Sequence, residues 1–116
     1  MAEDCIFCEV ASGQAKAPLI YQDDGVVAFA DIHPIAPTHI LVVPKKHYAT
    51  LLDAQSAGDE ALLGRLLFVA ARLAREGLGE DPGCRVVINN GSTAGQTVYH
   101  LHLHLLSGRH FAWPPG

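Results

Sequence analysis

Three histidines alternate with leucines in His100-Leu101-His102-Leu103-His104-Leu105-Leu106. Period-two alternation predicts a β-strand that sends the imidazoles to one face and the leucines to the other. Near neutral pH an imidazole can act as nucleophile, proton carrier or metal ligand. A plainer reading competes with these roles, because a half-buried strand needs polar residues on its outer face and histidine can supply them. The adjoining Gly95-Gln96-Thr97 favours chemistry. Glycine lets backbone approach a ligand, the two side chains carry donors, and free N–H groups at a strand start can cradle an anion. Thr38-His39 opens another apolar run after Pro37, so a fourth imidazole reaches the same pocket if the two strands are neighbours. Taken alone, His39 reads equally well as a surface histidine. A catalytic zinc is the main chemical competitor, since two histidines at this spacing can share one metal. Such sites usually need a third ligand, often a carboxylate, and the nearest acids, Glu80 and Asp81, precede a different strand.

The elements that must position these residues are short. Residues 4–11 predict a small helix with Ile6, Phe7 and Val10 apolar, ended by Gly13. Leu19 to Gln22 and Val26 to Ala30 flank Asp23-Asp24-Gly25, a hairpin signal. Pro34 and Pro37 bracket an irregular loop, and His39 to Val43 forms a strand stopped by Pro44. Ser56, with Asp59 three residues on, predicts the start of one long helix with Leu62, Leu66, Val69, Ala70 and Leu73 as its apolar stripe. Gly77 and Gly79 end it. Arg85 to Ile88 and Val98 to Leu106 predict the fourth and fifth strands, joined through Gly91-Ser92-Thr93-Ala94-Gly95. The order implies an α+β domain: an antiparallel sheet of about five strands, with the long helix on one face. Trp113-Pro114-Pro115-Gly116 cannot continue a helix or a central strand and predicts an extended arm within residues 104–116. A terminal Trp needs burial, on this subunit or on a partner.

At 116 residues the chain makes one domain, 1–116, with a single core. A hydrophobic fraction of 49% against 17% charged residues excludes a disordered chain. The net charge of −4, with Lys45-Lys46 as the only basic cluster, argues against nucleic acid as a partner but leaves room for one nucleotide. There is no membrane-length apolar run and no signal-peptide pattern, so a cytoplasmic protein is expected. Cys5 and Cys8 are then not expected to form a structural disulfide. Cys84 lies in an apolar stretch and is expected to be buried. The Cys5-x-x-Cys8 spacing is half of a zinc site without a second cysteine pair.

The triad matches His-φ-His-φ-His-φ-φ, with φ apolar, and resembles the histidine triad (HIT) family. The resemblance runs over nearly the whole chain: Cys5-Ile6-Phe7-Cys8, Ala28-Phe29-Ala30-Asp31-Ile32, Ala36-Pro37-Thr38-His39, Pro44-Lys45-Lys46-His47, Asn89, and Ala94-Gly95-Gln96-Thr97-Val98 before the triad. The ending Gly108-Arg109 through Trp113-Pro114-Pro115-Gly116 resembles the Hint branch, the nucleoside phosphoramidases. His104 departs from the transferase branch, which typically has Gln there.

The resemblance implies a HIT-like fold, a homodimer and a purine nucleotide or nucleoside 5′-phosphoramidate as substrate. His102 would be the nucleophile, held by the carbonyl of His100, and would carry a nucleotidyl intermediate. His104 would contact the phosphate and help protonate the leaving group, with His39 in the same network. Thr97, where the family usually has Ser, would bond the leaving group or a phosphate oxygen. Asn89, Gly95, Gln96 and Val98 would bind phosphate, and Asp31 the ribose. Ile6, Phe7, Val10, Phe29 and Ile32 would form the slot for the base. No cofactor is required for this chemistry. The same resemblance completes the cysteine pair with His47 and His100 as a structural Cys₂His₂ zinc site. The alternatives are a dinucleoside polyphosphate hydrolase, or a nucleotide-binding interaction module whose activity is incidental.

Overall fold

The computed structural model describes residues 5–77 and 83–116. Its elements in chain order are helix α1 (Ile6–Ser12), strands β1 (Leu19–Gln22), β2 (Val26–Ala30) and β3 (Thr38–Pro44), helices α2 (Leu51–Ser56) and α3 (Glu60–Gly77), then β4 (Cys84–Val87) and β5 (Leu103–Ser107). The five strands form one sheet in the order β1-β2-β3-β5-β4, and every neighbouring pair is antiparallel. The fold is α+β, as expected.

Each local signal has a visible cause. Asp23 closes the β1–β2 turn by accepting from the backbone N–H groups of Gly25 and Val26, both at 2.8 Å. The Cys5 sulfur caps α1 by accepting from the Cys8 N–H, and Gly13 ends the helix in the left-handed region that suits glycine. Alternating strand residues sort onto two faces. Val26, Ala28, Val42 and Leu103 pack with Leu66, Val69 and Ala70 of α3. Val27, Phe29, Leu41 and Val43 pack with Phe7, Cys8 and Val10 of α1. Full burial of a Leu or Val side chain contributes about 1.5–3 kcal/mol, so both layers are well anchored.

Three expectations needed correction. The fifth strand is Leu103–Ser107 and not Val98 to Leu106. The Leu101 N–H bonds to the Tyr48 carbonyl at 2.7 Å, outside the sheet ladder, so His100 and His102 lie in the approach to β5. The alternation nonetheless persists, because Leu101 and Leu103 both enter the α3 layer. Ser56 does not open the long helix: it ends α2, which Thr50 caps, and α3 begins at Glu60. Gly58 separates the two helices with φ of 71°, and the Asp59 carboxylate turns to the Tyr48 hydroxyl at 2.9 Å. Cys84 is exposed because β4 is an edge strand, with β5 its only neighbour among the described residues. Trp113 is 82% exposed among the described residues, which leaves a partner as its expected cover. Gly79, Glu80 and Asp81 lie outside the described residues.

Candidate active site

On the α1 face, β-ladder register sets the order of the side chains. Phe29 of β2 is opposite Leu41 of β3, Leu41 is opposite His104 of β5, and His104 is opposite Val87 of β4. One row further along, His39 of β3 is opposite Leu106 and Leu106 is opposite Arg85. Paired residues in an antiparallel ladder share a face. His39 and His104 therefore meet across β3 and β5, with ring centroids 5.2 Å apart. The His102 ring lies 5.0 Å from that of His104 and 5.1 Å, edge-on, from that of Phe7.

Hydrogen-bond partners fix the proton positions on the neutral rings. Nδ1 of His102 lies 2.7 Å from the His100 carbonyl. A carbonyl can only accept, so Nδ1 carries the hydrogen and Nε2 keeps its lone pair. The Ile35 N–H donates to Nδ1 of His39 at 3.2 Å, which places the His39 hydrogen on Nε2. That group donates to Nδ1 of His104 at 2.9 Å, so His104 presents Nε2–H. Asp31 Oδ2 lies 3.4 Å from the same His39 nitrogen.

Burial keeps these rings neutral. It is the largest influence on His102 and lowers its pKa; the bond to the His100 carbonyl and the charge of Asp31 oppose it. His39 is lowered by burial, with Asp31 opposing. His104 falls to about 4, first through burial and then through the neighbouring His102 and His39. A buried neutral imidazole with a free Nε2 lone pair beside a second imidazole that presents N–H has the geometry to act as nucleophile and donor.

A second cluster adjoins the first through His100. Nδ1 of His100 lies 3.3 Å from Cys5 Sγ, 3.4 Å from Cys8 Sγ and 3.1 Å from Nδ1 of His47, which is itself 3.3 Å from Cys8 Sγ. The remaining nitrogen of His100 donates to the Pro44 carbonyl at 2.7 Å, so Nδ1 turns its lone pair toward the other three atoms. All four donor atoms lie within 4.8 Å of one another. Two soft sulfurs and two imidazole nitrogens are the donor set of a closed structural zinc site, and zinc–ligand bonds of about 2.0–2.3 Å need donor separations close to those found. The residues fit that metal.

A HIT domain model matches residues 12–111 of the chain. The protein belongs to the HIT domain family. Its relatives include an uncharacterised HIT-like protein of Synechococcus elongatus, 54% identical with both chains covered in full. A purine nucleoside phosphoramidase of Escherichia coli is 47% identical over 94% of this chain and 91% of that protein. Among solved structures, a HIT family hydrolase from Legionella pneumophila superposes with a TM-score of 0.90 at 49% identity, covering 97% of this chain and 100% of the other.

Phe7, Asp31, His39 and Asn89 lie beside the HIT triad. Phe7 and Phe29 touch edge to face at 5.5 Å. Ile6 is half exposed and Ile32 is 86% exposed, so both offer apolar surface. Val10 is buried in the same α1 layer as Phe7. Asn89 lines a cavity with His39 and His104. Thr97 is exposed and Val98 partly buried in the loop after Gly95. Gln96 departs from its expected role. Its amide nitrogen donates to the Ala49 and Val98 carbonyls and its oxygen accepts from the Gly91 N–H. Both ends are taken by backbone, so the side chain braces the loop before the triad. Sequence reasoning missed two backbone partners, Pro44 O and Ile35 N–H, because any residue type supplies them. It also missed Arg85 and Arg109, which line the cavity beside His104.

Proposed function

We propose that this HIT protein hydrolyses purine nucleoside 5′-phosphoramidates through a nucleotidyl intermediate on His102. The observation that carries the reading is the 2.7 Å bond from Nδ1 of His102 to the His100 carbonyl, which leaves the Nε2 lone pair free. Membership of the family and a phosphoramidase relative support the coarser conclusion, a nucleotide hydrolase.

Nε2 of His102 attacks the α-phosphorus, the phosphorus–nitrogen bond breaks, and its electron pair leaves with the amine. The amine takes its proton from Nε2 of His104, after the His39–His104 pair has taken up one proton on substrate binding, so the pair returns to its neutral state. Water then attacks the phosphorus, the bond to His102 breaks, and the nucleoside monophosphate leaves. The water proton returns to the His39–His104 pair. Asp31 accepts from the ribose hydroxyls, and Phe7, Phe29, Ile6 and Ile32 flank the base. Zinc, when bound by Cys5, Cys8, His47 and His100, supplies a structural cross-link and no Lewis acid to the reaction. The exposed Trp113 and the open edge of β4 suit a homodimer, in which a partner covers both.

Adenosine 5′-phosphoramidate is expected to yield AMP several-fold faster than diadenosine triphosphate yields it. The enzyme should sediment as a pair of 12.4 kDa chains. Faster cleavage of the polyphosphate would favour the dinucleoside polyphosphate hydrolase. No cleavage of either would leave a nucleotide-binding module.

The neutral state of the His39–His104 pair has a measurable consequence. His104 titrates near 4 in the free protein and faces His102, His39, Asp31, Arg85 and Arg109. An anion bound beside it raises that value, so binding near pH 6 takes up a fraction of a proton. Uptake vanishes below about pH 4, where the ring is already protonated in the free protein. Adenosine 5′-sulfate, which does not titrate in this range, should give calorimetric heats that differ between buffers of different ionisation enthalpy. Equal heats would remove the pair as the proton source.

A further inference from the structure

A cavity of about 350 Å³ opens on the β4 side of His104. Its walls include His39, His104, Val87, Asn89, Arg85 and Arg109. Both arginines stack on Phe111, with the guanidinium carbons 5.2 Å (Arg85) and 4.2 Å (Arg109) from the ring centroid. Arg85 donates to the Ala112 carbonyl, and Arg109 donates to the Ile35 and His110 carbonyls. These contacts hold the guanidinium planes, and their acceptors are uncharged carbonyls. Among the described residues the ion pairs engage His39, Lys46, Arg65 and Arg72, and no carboxylate meets Arg85 or Arg109. In a chain of net charge −4, two guanidiniums with no carboxylate partner among the described residues share one wall of a concavity. Each retains N–H donors beyond those its carbonyl bonds use.

The ladder tells what would enter. Phe29 and Asp31 lie at the β2 side of the site, His104 in the middle, and Val87 with Arg85 at the β4 side. A nucleotide with its base at the β2 side and its phosphorus at the histidines sends its leaving group toward β4. We propose that this cavity is a leaving-group subsite selective for an oxyanion carried by the leaving group, bound by Arg85 and Arg109. The inference rests on the reading of His102 as nucleophile. A carboxylate on the departing amine and a phosphoryl group on a departing nucleotide share the required chemistry, since both suit guanidinium donors.

The test compares kcat/KM for adenosine 5′-phosphoramidates whose amine is β-alanine or β-alanine methyl ester, with diadenosine triphosphate in parallel. The carboxylate should be preferred over its ester by about tenfold at low salt, and less at high salt. Arg85→Gln and Arg109→Gln should each bring that ratio toward one, while the Lys variants, which keep the charge, retain most of it. A Gln effect confined to diadenosine triphosphate would support the subsite with a phosphoryl group as its occupant. A wild-type ratio of one with the ester still cleaved, together with turnover of diadenosine triphosphate unchanged in both Gln variants, overturns the subsite. If the ester is not cleaved either, the nucleophile reading fails and takes the subsite with it.

Discussion

Replacing His102 with alanine is expected to lower AMP release from adenosine 5′-phosphoramidate by about four orders of magnitude, because the covalent route then has no nucleophile. The ring is 8% exposed, and its Nδ1–H is committed to a backbone carbonyl. Neither water nor His104 can replace it: water is a weaker nucleophile, and His104 presents N–H where a lone pair is needed. The fold should survive, because the packing in this region comes from Leu101 and Leu103 on the opposite face. Circular dichroism should therefore match wild type, and rapid acid-free quenching should trap AMP on the wild-type protein alone. A variant rate within tenfold of wild type would remove His102 from the nucleophile's place.

The second large effect concerns the cluster behind the triad. Protein purified without added metal should carry close to one zinc per chain, and Cys8→Ser should lose most of it. Cys8 is the sensitive position because its sulfur lies within 3.4 Å of both imidazole nitrogens of the cluster. Losing the metal leaves converging lone pairs with no cation between them. A cost of about 3 kcal/mol corresponds to a fall in Tm of roughly 10 °C for a domain of this size. Chelation of the wild type should reproduce the shift. Activity should fall less than in His102→Ala, because the His100 carbonyl that orients the nucleophile is fixed by backbone as well as by its ring. Under half an equivalent of zinc, with an unchanged Tm, would return these residues to two thiols and two imidazoles hydrogen-bonded to one another.

Much of the fold was legible from local signals. The Asp23-Asp24-Gly25 turn, Gly13 and the stripe from Leu62 to Leu73 act over a few residues, so sequence spacing reports them directly. Errors arose where a distant partner overrides a local pattern. His100 to His102 has strand periodicity, yet the Tyr48 carbonyl takes the Leu101 N–H and draws the segment out of the sheet. Ser56 and Asp59 have capping-box spacing, yet Tyr48 claims the Asp59 carboxylate. Gln96 is a donor by composition, and only the folded loop shows that Ala49, Val98 and Gly91 consume it.

By itself the sequence determined which histidines are candidates for the chemistry and the side to which each points. Alternating apolar residues can be buried only if the histidines between them turn the other way. Tertiary structure decided what those histidines are. Proton positions on three imidazoles depend on one carbonyl at His100 and one at Pro44 for His102 and His100, and on the Ile35 N–H for His39. Backbone groups are the same in every residue type, so their partners become visible only when β2, β3, β5 and the loops between them are assembled. The same assembly sets Arg85 and His104, 19 positions apart in the chain, one row apart on the same face of the ladder.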